Sequence, residues 1–141
     1  MFLMVFYSIV KKILVSNKPE DLMYDCFIEL NGKNTVIKAF LDTGNSLKDV
    51  ITGLPVIIIG RHAAESILND IENFLELKSY TEKIKIIPYK TADGMSSILP
   101  AFKPDRVTVN GNSIDVIVAV SKDDFNKNDE YNCLLNKNCF H

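Results

Sequence analysis

The residues best equipped for chemistry stand in one short stretch, Ala39-Phe40-Leu41-Asp42-Thr43-Gly44. A water that attacks a peptide carbonyl without a metal or a covalent nucleophile needs a general base and a general acid at once. Two carboxyls sharing one proton supply both, because like charges in close contact cannot both ionise. The neighbours of Asp42 suit such a pair. The apolar strand before it excludes bulk water, Gly44 lets backbone and partner loop come close, and the Thr43 hydroxyl can hydrogen-bond across to a second loop. The competing reading is an Asx turn, in which Asp42 only caps its own backbone. Context favours chemistry: a second apolar run, Leu54 to Ile59, follows the triplet, and a hairpin near Gly94 could fold over the site.

These residues need a scaffold, and the patterning predicts a mainly β one. Asn31-Gly32 and Asn110-Gly111 each sit between alternating apolar runs, the strongest short signal for a hairpin. The run at Leu54 to Ile59 reads as a buried strand. Ala64, Ile67, Leu68, Ile71, Phe74 and Leu75 recur at helical spacing, so Arg61 to Leu77 reads as one amphipathic helix of about four turns. Glu65, Asp70, Glu72 and Glu76 form its solvated face. The segment EKIKIIPYK is a strand, Thr91 to Ser97 a glycine-bearing turn, ILPAFKPDRVTV the returning strand, and the tail ends in a short apolar strand. Aligning the two Asn-Gly hairpins is informative. The first leads into Asp42-Thr43-Gly44 and the second into Ser121-Lys122-Asp123, which predicts a single lobe with pseudo-twofold internal symmetry in which only one half carries the acid.

Bulk properties limit the alternatives. A chain of 141 residues with 47% apolar residues can bury one core. A net charge of −2 offers no field to attract nucleic acid. Three cysteines at irregular spacing imply no disulfide framework and fit a reducing compartment. Residues 1–15, apolar up to Lys11-Lys12, are too short to span a bilayer alone. Lysines just after an apolar run suit the cytoplasmic exit of a span. The expected organisation is therefore the remnant of a last membrane helix at 1–15, a linker at 16–23, and one domain at 24–141.

FLDTGNSLKDVITGLPVIII, IIPYKTADGMSSILPAFKPDRVTV and DEYNCLLN together resemble the peptidase domain of the sporulation sigma-E factor-processing peptidases, a family among the retropepsin-like aspartic peptidases. The resemblance runs from Tyr24 to Asn136. It implies a retropepsin-like (acid protease) lobe and a membrane aspartic endopeptidase that works as a homodimer, one aspartate per chain. It implies that the domain faces the cytoplasm on the mother-cell side of the sporulation septum. The substrate would be a sigma factor precursor that loses its pro-sequence, and the activator a secreted signal protein acting through the membrane part. By position, Asp42 matches the catalytic acid, and Thr43, Gly44 and Asn45 the rest of its loop. Val50 departs from the family pattern, which has proline there.

Thr91, Ala92, Asp93, Gly94 and Met95 are the expected flap, with Tyr89 and Lys90 on the approach. No cofactor and no metal is expected, since Cys133, Cys139 and His141 are too few and too near the terminus for a site. Asp123-Asp124 lack a following glycine and read as a solvated loop, and His62 reads as solvated. The multi-helix membrane part that the resemblance implies is absent, so the chain is expected to be a fragment or a truncated copy. The alternative reading is a catalytically silent dimerising or precursor-binding module.

Overall fold

Residues 22–78, 83–91, 93–125 and 130–140 are described by a computed structural model. The segment 1–15, residues 16–21 of the expected linker, Ala92 and His141 lie outside the described residues.

The first hairpin joins β1 (Met23–Leu30) to β2 (Lys33–Leu41), with Leu30 opposite Lys33. Asn31 and Gly32 turn it with φ of 52° and 81°, the positive pair that matches the twist of the flanking strands. β3 (Val56–Ile59) is buried throughout, as its unbroken apolar run requires. The expected four-turn helix is instead two short ones, α1 (Arg61–Glu65) and α2 (Ile71–Leu75). Its middle carries Ser66, Asn69 and Asp70, residues whose side chains compete for backbone partners. Asp70 accepts from the Asn73 N–H and starts α2 as its N-cap. Ala63, Ala64, Ile67, Leu68 and Phe74 are nonetheless all buried, so the apolar spacing serves the core without a continuous helix.

β4 (Lys85–Lys90) and β5 (Ser96–Phe102) form the second hairpin. The long returning strand read from the sequence is divided at 103–105. Pro104 has no N–H to donate, and the chain leaves β5 to enter β6 (Arg106–Val109) beside β1. β6 pairs with β7 (Asn112–Ile114) across Asn110-Gly111. The chain then crosses over to β8 (Ile117–Val120), which pairs with β3 and β5, and it ends in β9 (Cys133–Leu135).

The described strands form one curled sheet in the order β4-β5-β8-β3-β9-β2-β1-β6-β7. Its centre holds two interlocked connections. β2 and β3, joined by 42–55, straddle β9, while β8 and β9, joined by 121–132, straddle β3. β3 and β9 run antiparallel, with Ile58 opposite Leu134, so a pseudo-twofold axis between them exchanges the halves. The expected internal symmetry is present, although β5 rather than the second Asn-Gly hairpin supplies the outer partner of β8. Alternate residues of the strands feed two cores. One, under the helices, gathers Ile57, Ile59, Ala64, Phe74 and Phe102. The opposite face gathers Phe40, Ile58, Ile87, Leu99, Tyr131 and Leu134.

Candidate active site

Asp42 follows directly on β2, and its N–H donates to the Leu135 carbonyl of β9 at 3.3 Å. The pseudo-symmetric position is Ser121, whose N–H donates to the Ile59 carbonyl of β3 at 2.9 Å. The two strand ends are thus equivalent in topology and in backbone bonding, as the hairpin alignment anticipated. Only one ends in an acid.

The Asp42 carboxyl is fully buried. Oδ1 accepts from the Gly44 N–H at 2.9 Å, which is an Asx turn. Oδ2 has no hydrogen-bond partner among the described residues. Turn closure therefore accounts for one oxygen and leaves the other with no structural task. Burial pushes the carboxyl up to about 6, and the Gly44 N–H works against that rise. An oxygen that is desolvated, unpartnered and holds its proton into the mildly acidic range is what acid–base work on a carbonyl needs.

Thr43 and Gly44 are exposed at the tip of the loop, and Asn45 is buried. The Asn45 N–H donates to the Asp42 carbonyl at 3.0 Å, closing the turn that carries the acid. Its side chain has partners on both sides: Nδ2 donates to the Val56 carbonyl at 3.0 Å and Oδ1 accepts from the Leu47 N–H at 3.2 Å. Asn136, which the sequence reading did not single out, is also buried and lies against Asn45. Its signal was an asparagine closing the apolar run Cys133-Leu134-Leu135, where a polar side chain must find partners inside the core.

Beyond this loop, Asp49 is buried and gathers four donors. Thr52 Oγ1 lies at 2.7 Å, Lys85 Nζ at 3.2 Å, the Thr52 N–H at 3.3 Å and the Ile51 N–H at 3.5 Å. The Lys85 contact ties the turn after the Asp42 loop to the base of the β4–β5 hairpin. At that hairpin's tip, Thr91 N–H donates to the Met95 carbonyl at 2.8 Å, and Asp93 accepts from the Thr91 hydroxyl and from the Met95 N–H. Gly94 takes a φ of 85°, open to glycine at no steric cost. Met95 projects into solvent. The expected flap is thus a hairpin tip, Ala92 apart, whose inner residues Ile87, Tyr89 and Leu99 join the same apolar face as Phe40 and Leu134. Asp124 is not merely solvated: its Oδ1 accepts from the His62 N–H at 3.0 Å, at the start of α1.

Residues 1–139 match the family described as "Sporulation factor SpoIIGA". The chain is 28% identical, over 96% of its length, to the "Probable sporulation sigma-E factor-processing peptidase" of Clostridium acetobutylicum, covering 50% of that protein. It is 28% identical over 86% of its length to the "Sporulation sigma-E factor-processing peptidase" of Priestia megaterium, covering 45% of it. To the protein of the same name in Bacillus subtilis it is 27% identical over 57% of its length, covering 31% of that chain. The chain therefore spans about half the length of the first two of these relatives, or less.

Proposed function

The chain belongs to the Sporulation factor SpoIIGA peptidase family, and from that premise we propose that it carries an aspartic peptidase domain that processes a sporulation sigma factor precursor. The observation that carries the reading is Asp42: a buried carboxyl with one oxygen spent on its turn and the other unpartnered. Its pseudo-symmetric position holds Ser121, so the second carboxyl comes from Asp42 of a second copy, and the active form is a homodimer. Brought together, two carboxyls whose proton affinity burial already raises share one proton. The ionised Asp42 takes a proton from water, the water oxygen bonds to the scissile carbonyl carbon, and the protonated Asp42 gives its proton to the carbonyl oxygen. In the collapse of the tetrahedral adduct the second, now ionised, carboxyl takes back a hydroxyl proton, the C–N bond breaks, and the amine leaves with the proton held by the first carboxyl.

The β4–β5 hairpin covers the bound peptide and excludes water. Among the described residues no helix is long and apolar enough to cross a membrane; the segment we assign to the membrane is 1–15, with the domain on the cytoplasmic, mother-cell side of the septum. A secreted signal protein acts through the membrane part. The test is co-expression of the sigma factor precursor with the chain, with Asp42→Ala and with Asp42→Asn. Loss of the processed form in both variants is the expected result, and undiminished cleavage by either ends the reading.

A further inference from the structure

Asp42 is held by its own loop, and that loop is held by a buried amide that the chemistry does not use. Asn136 stands at the end of β9, next to Leu135, whose carbonyl accepts from the Asp42 N–H. Asn136 Nδ2 donates to the Leu47 carbonyl at 2.8 Å and to the Val56 carbonyl at 3.1 Å, with Asn45 Oδ1 at 3.5 Å. Its Oδ1 accepts from the Asn138 N–H at 2.9 Å. The Lys137 N–H donates to the Asn45 carbonyl at 3.0 Å. The β3–β9 ladder pairs only Ile58 with Leu134 and Ile59 with Cys133. The Val56 carbonyl therefore lies beyond it and takes its donors from the two asparagine side chains.

We propose that Asn136 is a positioning residue: it clamps the Asp42–Leu47 loop between the end of β9 and the start of β3, and so sets where the Asp42 carboxyl points. The proposal rests on the reading of Asp42 as the catalytic acid. Each link that the Asn136 side chain makes to the loop and to β3 runs through Nδ2. An apolar side chain of similar size therefore removes the side-chain clamp and leaves only the backbone bond from the Lys137 N–H to the Asn45 carbonyl. Asn136→Leu orphans neither carbonyl, because Leu47 keeps the Val56 N–H and Val56 keeps Asn45 Nδ2. The variant thus loosens the loop more than it unfolds the core.

The experiment compares the full chain, Asn136→Leu, Asn136→Ser, Asp42→Asn and a control, Ile67→Val, whose buried side chain lies in the other core. Cleavage of the sigma factor precursor is followed as kcat and KM at a temperature where all are folded, and the Asp42 carboxyl is titrated by NMR. Asn136→Leu is expected to lose on the order of 100-fold in kcat with KM nearly unchanged, the size of effect for a misplaced catalytic group. The Asp42 titration moves to higher pH as the Gly44 N–H loosens, while Ile67→Val changes neither. Asn136→Ser, with a hydroxyl too short to reach both carbonyls, gives the same pattern should the leucine variant not fold. A kcat equal to that of Ile67→Val together with an unmoved Asp42 titration overturns the proposal. If Asp42→Asn cleaves as well as the parent, the reading of Asp42 falls, and the titration, which needs no activity, still decides whether Asn136 sets the carboxyl.

Discussion

Replacing Asp42 by asparagine should make the domain more stable at neutral pH while abolishing cleavage. The unfolded chain ionises this carboxyl at 3.8, and burial raises it to about 6 in the folded chain. Between those values the folded state binds the extra proton, so stability falls as pH rises from 3.8 through 6, and the whole penalty is present at pH 7 and above. At about 1.36 kcal/mol per pH unit, the gap amounts to roughly 3 kcal/mol. Asparagine cannot ionise and keeps an oxygen to accept from the Gly44 N–H, so it escapes the penalty without opening the turn. A domain of this size gains roughly 6–12 °C in Tm from that much free energy. The assay is thermal unfolding of parent and variant from pH 3 to 8, at a concentration where Tm does not depend on dilution. The difference should be largest above pH 7 and close below pH 4. A variant no more stable at pH 7.5, or a gain that does not change with pH, refutes the account of a desolvated carboxyl.

Two further consequences concern the supports of the site. Burial opposes the charge on Asp49, but the donors Thr52, Lys85 and Ile51 outweigh it and hold the carboxyl below its ordinary value. Asp49→Asn should therefore cost about 1.5–3 kcal/mol at pH 7. The gap between parent and variant should shrink as pH falls below 3.8, where the parent loses the charge; urea titrations at pH 7 and pH 3 read both. At the other connection, a Cβ on Gly60 would lie 2.6 Å from Asp124 Oδ1, the atom that caps α1. Gly60→Ala should cost about 1–3 kcal/mol, and much less when Asp124→Ala accompanies it; strictly additive losses in the double-mutant cycle would count against that contact.

What the sequence disclosed and what it withheld divide along physical lines. Asn31-Gly32, Asn110-Gly111 and the run at Leu54 to Ile59 are local signals, and each became the turn or buried strand it predicts. The continuous helix failed because apolar spacing reports which residues face the core and not whether the backbone between them stays hydrogen-bonded. Ser66 to Asp70 broke it while Ile67 and Leu68 stayed buried. The division of the long strand at Pro104 and the crossover at Asp115 depend on which neighbour each half meets, and pairing partners far apart in the chain leave no local trace. Asp42 stood out as a candidate because its triplet is compact. Asn136 did not, because the acceptors of its Nδ2 lie 80 to 91 positions away.

The pseudo-twofold relation bears on why position 42 is an acid at all. Ser121 occupies the equivalent strand end, is buried, and accepts from the Asp123 N–H at 3.1 Å as Asp42 accepts from the Gly44 N–H. Ser121 also donates, to the Asp123 carbonyl at 2.7 Å, so its hydroxyl is fully used. The fold's requirement at this point is thus an acceptor for the N–H two residues on, and a neutral hydroxyl meets it. A carboxyl meets it too, but with one oxygen idle and an ionisation cost that the serine does not incur. Closing the turn therefore does not explain the acid; an Asx turn needs no group whose second oxygen is stranded in the core. A carboxyl that costs local stability, where the same chain carries a neutral substitute at the equivalent position, is in keeping with the catalytic role proposed for Asp42. The same comparison is why the proposed mechanism takes its partner carboxyl from a second copy: the equivalent strand end of the lobe carries Ser121.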